Sequence, residues 1–511
     1  MTRSLFVIAT LLALAGCGTP GVQVSGTAVS VEQGPVAGAG HVLLKMQSAR
    51  PSTIFNPKWQ MLRVAREGAM PVELNDISGA QSTGALFYAR LPAGSYRVTE
   101  VQSVGPGPGL LLAILAGDLV DLRVRELRFT VREGELSNLG TVVDSAPLDK
   151  DPKTHRVVLL RDALGQAAAA EALEARTGQK LTSRQNGGWA NEATPQEAQR
   201  ALVRARALMS VLSPGDDALD AVVIGGTALG QILLRDAKGE WQSEALDTLA
   251  AVTYARRLAD GTLLAGTEHG RIYERRPHGA WRQLRLADGA SSVLHIEPLG
   301  DAWLVTAQKG YDVAVYRLDA AGVQSAPIAS INTGGGLYAG TLANAEQLVL
   351  TRNTPAFARE SQHTIIEKRS LQSTTREEKY LVFAYQRLRS GEVFMDRFTG
   401  MTHYVSYSRD GGRSWQHVQT EAPLWPHFID AQRGYALDLN RGMFSVDSIL
   451  VRTQDGGKSW TRTGVPVTVE TAGRVLGIAA DNAIVASLGW EVRSSRDEGK
   501  TWRRELPRLI D

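Results

Sequence analysis

Ser408-Arg409-Asp410-Gly411-Gly412-Arg413-Ser414-Trp415 is a stretch that this chain of 511 residues repeats. Thr453-Gln454-Asp455-Gly456-Gly457-Lys458-Ser459-Trp460 carries the same pattern with Thr for the first Ser, and Ser495-Arg496-Asp497-Glu498-Gly499-Lys500-Thr501-Trp502 carries it again. A looser copy, Asp236-Ala237-Lys238-Gly239-Glu240-Trp241, keeps Asp and Trp in register and sets its Gly one residue later. In all four copies the Trp number minus the Asp number is 5. The chemistry is that of a hairpin turn. An Asp side chain accepts backbone N–H bonds within a turn, and Gly supplies the backbone freedom the turn needs. The Ser/Thr hydroxyl adds a local bond, and the Trp opens the next strand and buries a large ring. Ser408, Asp410, Gly412 and Trp415 are therefore structural residues. So are Asp455, Gly457 and Trp460, Asp497, Gly499 and Trp502, and Asp236 with Trp241.

The spacing counts the units. Trp241 to Trp281 is 40 residues, Trp415 to Trp460 is 45 and Trp460 to Trp502 is 42. The 134 residues from Trp281 to Trp415 hold three further periods with two degenerate copies. One turns at Asp319-Ala320-Ala321-Gly322, and the other is a looser equivalent over Ile365 to Thr375. Strands precede each turn in order: Val252 to Arg257, Thr262 to Ala265, Arg271 to Arg275 and Ala280 to Leu284 make one unit. Arg474 to Ala480, Ala483 to Leu488, Glu491 to Ser495 and Thr501 to Leu506 make the last. A repeat of four strands in about 45 residues is the arithmetic of a propeller blade.

The pattern S-x-D-x-G-x-[ST]-W resembles the Asp-box, or BNR-type, repeat. The resemblance implies a seven-bladed β-propeller over 219–511, of the superfamily that includes sialidases, sortilin-type receptors and photosystem assembly factors. That superfamily does not choose a function. The first blade lacks an innermost strand before Asp220, and Arg156 to Leu160 is the expected donor, with a helical segment over 151–218 inserted between strands.

Upstream, alternating segments from about Gly21 to Val143 read as a small all-β unit. Leu91-Pro92-Ala93-Gly94-Ser95-Tyr96 predicts a tight turn between strands. It resembles the L-P-x-G-x-Y hairpin of transthyretin-like and carboxypeptidase-regulatory-like sandwiches, which implies a β-sandwich over 17–150. Between the two β units, Ala167 to Ala175 and Ala198 to Leu212 have helical composition, the latter behind a Thr194-Pro195-Gln196-Glu197 start. Arg200, Arg204 and Arg206 read as a solvated face. The fold class is mainly β, with a short helical insertion.

The first residues read as a secretory signal over 1–16: Arg3, an apolar run from Leu5 to Leu14, then Leu14-Ala15-Gly16-Cys17. That ending resembles a bacterial lipobox, which implies acylation of Cys17 and membrane lipid as its partner. Cys17 is the only cysteine in the chain, and lipidation accounts for it. Gly18, by the same resemblance, points to the outer membrane, facing the periplasm or the surface. The apolar stretch Gly109 to Val120 is too short to span a bilayer.

With 56 Lys+Arg against 53 Asp+Glu, the charge gives no footprint of a nucleic-acid binder. No catalytic site, cofactor or metal set emerges. The Arg-Ile-Pro motif of sialidases is absent, and Arg271-Ile272-Tyr273 sits in a strand. Gly457-Lys458-Ser459 and Gly499-Lys500-Thr501 imitate the end of a phosphate loop but lack its first Gly. His403, His417 and His427 share a stretch without metal-site spacing. The expectation is a non-catalytic, membrane-anchored interaction module for an envelope protein, with a glycan as second choice. The rivals are a sialidase-type glycoside hydrolase and a structural component of an envelope assembly. Asn353 to Thr364 reads as a long loop available for contact.

Overall fold

The computed structural model describes residues 38–48, 61–76, 85–102, 128–145, 156–160, 182–185, six positions within 196–206, 213–214 and, with short gaps, 223–506. Cys17, the leader and Gly109 to Val120 lie outside the described residues.

The carboxy-terminal part is a β-propeller. Among the described residues, seven antiparallel sheets follow one another along the chain, each built on four strands in sequence order; the sixth takes a fifth strand. The second sheet is Val252–Arg257, Leu263–Thr267, Arg271–Arg275 and Arg282–Arg285. The seventh is Arg474–Ile478, Ile484–Leu488, Glu491–Ser495 and Arg503–Leu506. Both match the expected strands within a few residues. Residues that alternate along these strands fill the seams between sheets: Tyr254, Leu264 and Ile272 of the second sheet share a core with Val305, Ala307 and Tyr316 of the third. The first strands of neighbouring sheets approach one another, so they form the inner wall.

The first sheet corrects the expected donor. Its inner strand is Ser213–Pro214, which pairs with Gly226 and Gly225. Arg156–Leu160 instead pairs antiparallel with Glu135–Ser145 in the amino-terminal sheet, and Thr182–Gln185 joins the same strand in parallel. These two strands therefore extend the first unit. An apolar run such as Val157 to Leu160 suits either edge, and only the partner decides.

The amino-terminal unit is a nine-stranded sheet. One arm holds Ala39–Ser48 between Ala85–Pro92 and Glu135–Ser145, and the other holds Met61–Arg66 between Val72–Asp76 and Gly94–Gln102. Both arms contribute to a single apolar core, with Val42, Leu44 and Phe87 from one and Leu62, Val98 and Phe129 from the other. The expected Leu91 to Tyr96 hairpin is a corner. Strands flank it, yet Ala85–Pro92 and Gly94–Gln102 pair with different partners, so the chain crosses here from arm to arm. The Tyr96 hydroxyl donates to Pro92 O at 2.8 Å and pins the crossing.

Helical geometry is present at Gln196, Gln199, Arg200, Leu202, Val203 and Arg206. Arg200 is exposed as expected, but Arg206 is not a solvated residue. Its guanidinium donates to Leu229 O at 3.1 Å and Thr248 O at 3.1 Å, which ties the helix to the first sheet. A second tie is the ion pair of Lys45 Nζ with Glu268 Oε2 at 2.5 Å, from the amino-terminal sheet to the second propeller sheet.

Candidate functional site

The repeated turns are closed hydrogen-bond cages. Asp410 Oδ1 accepts from Ser414 N at 2.9 Å and Arg413 N at 3.0 Å, while Ser414 Oγ donates to Oδ2 at 2.6 Å. Ser408 Oγ donates to Asp410 Oδ1 at 2.7 Å and accepts from Gly412 N at 2.7 Å. Thr453, Asp455, Gly457 and Ser459 repeat the cage, as do Ser495, Asp497, Gly499 and Thr501. Asp236, without flanking hydroxyls, keeps only the backbone bonds from Lys238 N and Glu240 N. Hydrogen bonds from Ser414 hold the Asp410 carboxyl at about 2, and those from Thr501 hold Asp497 at about 2. Each carboxylate is thus anionic and consumed by its own turn.

The tryptophans stand in the seams. Trp415 of the fifth sheet packs against Leu342 and Val349 of the fourth, and Trp460 of the sixth packs against Val405 of the fifth. Trp502 of the seventh packs against Leu437 and Leu450 of the sixth. Trp241 of the first packs against Val485, Val492 and Leu506 of the seventh, so the same contact joins the chain's first sheet to its last.

A second regularity lies on the inner wall. Five inner strands carry one extra residue at their second or third position: Thr253, Leu294, Ala339, Phe383 and Leu476. Such a bulge re-aims a side chain. Four of these residues engage the following sheet. Thr253 Oγ1 donates to Val293 O at 2.6 Å, Leu294 packs on the third-to-fourth seam, Ala339 on the fourth-to-fifth and Leu476 on the seventh-to-first. Phe383 differs. It is 41% exposed, and its ring contact among the described residues is with Phe398 of its own sheet, at 4.6 Å between centroids.

The sixth sheet explains the difference. Its inner strand is reduced to His427–Phe428, opposite Tyr435 and Gly434. Pro423 and Pro426 precede it, and proline cannot donate to a ladder. The segment before His427 runs instead along the fifth sheet. Ala422 N donates to His403 O at 3.0 Å, Trp425 N to Asp396 Oδ2 at 3.2 Å, and Phe428 N to Gln386 Oε1 at 2.7 Å. Trp425 takes a left-handed backbone (φ 49°), which this anchoring sustains. The result is a notch in the inner wall, with Phe383 and Phe398 in ring contact beside it, Trp425 held on Asp396, and the exposed Arg474 within electrostatic reach of Asp396 and His427.

Beneath it lies a buried pair. His403 Nδ1 donates to Ala422 O at 2.9 Å, which leaves Nε2 as the acceptor of the neutral ring, and Asp396 Oδ1 lies against that Nε2. Burial pushes the Asp396 carboxyl well above the usual carboxylate range, and burial lowers His403 to about 4. These shifts favour a neutral Asp396 carboxyl beside a neutral His403 ring. Through His403 Nδ1 and Asp396 Oδ2 the pair holds the 422–425 segment.

The other sequence-selected residues scatter. His417 Nδ1 meets Ser406 Oγ at 2.8 Å, and His427 faces Gln386. Among the described residues no three His, Cys, Asp or Glu groups converge as a metal site. Arg271 and Tyr273 are buried in their strand, with the Tyr273 hydroxyl on Asp247 at 2.8 Å. The loop expected over Asn353 to Thr364 is shorter. Asn353 ends one strand, Ser361–Glu367 is the next, and Thr354 N closes the connection onto Glu360 O at 2.8 Å. The notch itself was missed, although Pro423 and Pro426 bracketing Trp425 marked the break.

No family model matches the chain, and no curated protein does. Similar solved structures are β-propellers. The structure of the Dos1 propeller is 10% identical with a TM-score of 0.34, over 53% of this chain and 74% of that one. YCF48 bound to D1 peptide is 14% identical with a TM-score of 0.36, over 55% and 91%. A polysaccharide lyase of family PL25, an ulvan lyase, is 9% identical with a TM-score of 0.36, over 56% and 92%. At these values the likeness bears on neither substrate nor partner.

Proposed function

We propose that this chain is a lipid-anchored envelope lipoprotein whose propeller is a non-catalytic binding module for a protein of the envelope. The observation that carries the binding reading is Phe383: a large aromatic residue exposed in a notch of a rigid wall, where equivalent residues engage the next sheet. The carboxylates that recur in the sequence are committed to turns, and the buried Asp396–His403 pair is committed to its loop, which favours binding over hydrolysis. Leu14-Ala15-Gly16-Cys17 supports the anchor, with acyl chains on Cys17 and an outer-membrane address.

The finer architecture belongs to the same reading. The seven sheets are seven blades of one closed ring, supported by the seam of Trp241 with Leu506. The repeated turns are Asp-box repeats, supported by their cages. The amino-terminal unit is a transthyretin-like sandwich, supported by the core its two arms share.

The test is mild crosslinking and affinity purification of the membrane-tethered protein, with Cys17→Ala as control, beside a panel of fluorogenic glycosides. A reproducible envelope partner, diminished in the control, is expected. Glycoside turnover without a partner overturns the reading in favour of a sialidase-type hydrolase.

A further inference from the structure

The notch leaves part of a strand edge unpaired among the described residues. In sheets two to five and seven the inner strand runs five to eight residues. In the first sheet the two-residue strand Ser213–Pro214 covers half of the four-residue Val223–Gly226. In the sixth, the second strand Gly434–Arg441 is eight residues long and pairs along its whole length with Val446–Thr453. His427–Phe428 takes up only Gly434 and Tyr435 on the other side. Among the described residues nothing pairs with the inner edge from Ala436 to Arg441. Ala436 and Leu437 are buried, so the available edge starts at Asp438 and is about 14 Å of strand at ~3.4 Å per residue, with alternate N–H and C=O groups pointing inward. Free edges of this length attract other strands, and proteins normally cover or charge them.

The surroundings specify what fits. Phe383 and Phe398 offer an apolar wall, and Asp438 and Leu439 are partly exposed along the edge. Asp438 is paired with Arg462 at 3.3 Å. Arg474 is exposed on the opposite border and has no ion pair among the described residues. The border thus presents a cation with no ion pair among the described residues beside two aromatic rings.

We infer that the inner edge from Asp438 to Arg441 receives an extended peptide segment of the partner protein. The segment adds as the missing inner strand of the sixth sheet, sets an apolar side chain against Phe383 and Phe398, and sets an acidic one beside Arg474. Backbone hydrogen bonds supply affinity in such strand addition, and alternate side chains supply specificity. This rests on the binding reading above and adds the partner's chemistry and its seat.

The test follows amide hydrogen exchange of the full chain in detergent micelles, with and without a short capped peptide of alternating Val and Glu carrying one Phe. Exchange of the 438–441 amides is expected to slow about tenfold or more when the peptide is bound. Phe383→Asp and Arg474→Glu, both at exposed positions, are each expected to weaken the peptide about tenfold. The same peptide with alternate backbone nitrogens methylated loses its protection effect, and a Lys-for-Glu version binds more weakly than the parent. Equal binding of the methylated peptide overturns strand addition. Protection of 438–441 before peptide is added also overturns it: if dilution removes that protection, a second copy fills the edge, and if not, the chain itself does. An envelope partner whose crosslinking survives Phe383→Asp and Arg474→Glu sinks this inference alone. Glycoside turnover without a partner sinks the binding reading beneath it.

Discussion

The indole Nε1 of Trp241 donates to Glu505 Oε2 at 2.7 Å, and this bond joins the first sheet of the propeller to the last. The same carboxylate takes Arg235 Nε at 2.7 Å and Nη2 at 2.9 Å, and Arg235 is completed by Asp481 Oδ1 at 3.1 Å. Arg235 is buried, with 1% of its side chain exposed, so its partners cannot be replaced by water. Removing one partner of a buried charge leaves the other uncompensated. Glu505→Ala is expected to cost about 3 kcal/mol of unfolding free energy. Asp438→Ala, which breaks the exposed pair with Arg462, is expected to cost less than about 0.5 kcal/mol. Urea unfolding followed by tryptophan fluorescence compares the two, and equal midpoints refute the view that the ring is latched through Glu505.

The second glycine of each turn is a graded test of seam packing. Gly499 has φ +83°, and a Cβ there meets Leu450 Cβ at 2.8 Å and Gly464 Cα at 3.1 Å. Gly457 has φ +89°, but the nearest atom to its Cβ is the far end of Phe428 at 3.5 Å. Both substitutions to Ala carry the backbone strain, and only Gly499→Ala adds a clash with atoms that cannot swing away. Losses of about 3 kcal/mol for Gly499→Ala and about 1 kcal/mol for Gly457→Ala are expected from strain and overpacking. Thermal or urea midpoints in the reverse order remove the seam argument.

Local chemistry was legible in the sequence and pairing partners were not. The turns could be read because Asp, Gly and Ser/Thr bond within the same few residues, so spacing alone specifies the cage. Strands of the second and seventh sheets could be read because each blade is a run of sequential hairpins. Arg156 to Leu160 pairs elsewhere than expected, and Leu91 to Tyr96 turns a corner instead of closing a hairpin, for one reason. An apolar strand announces itself, but its neighbour lies far along the chain. The Asp396–His403 pair brings together the two middle strands of the fifth sheet, within one hairpin, yet only register shows that they touch. The notch had a local signal in Pro423 and Pro426, and its meaning appears only when an inner strand is required there.

The turn carboxylates predict an acid limb. Asp410 and Asp497 are held at about 2 by hydrogen bonds within their turns, and Asp481 at about 2, where the Arg235 and Arg496 bonds outweigh burial. Folded values below the unfolded carboxylate value mean that the unfolded chain binds protons first as pH falls. The stabilisation is complete above about pH 4 and is lost between about 4 and 2. Asp410→Asn and Asp497→Asn keep one acceptor oxygen and remove the titration. Together they are expected to flatten the dependence of the urea midpoint on pH over that range. An unchanged slope places the acid sensitivity elsewhere.

The Asp396–His403 pair predicts the opposite limb. In the folded chain it holds one proton, because His403 Nδ1 is committed to Ala422 O and burial raises Asp396 while holding His403 at about 4. The unfolded pair also carries one proton between about pH 4 and 6.5, on the histidine, so stability is level there. Above about 6.5 the unfolded histidine releases its proton while the folded pair retains it on Asp396. Stability then falls as pH rises, through up to one proton's slope, about 1.4 kcal/mol per pH unit. Asp396→Asn replaces the carboxyl proton with an amide N–H donor to His403 Nε2 and binds no proton. Its urea midpoint is expected to lose this decline above about pH 6.5, and a decline identical to that of the parent chain excludes a protonated Asp396.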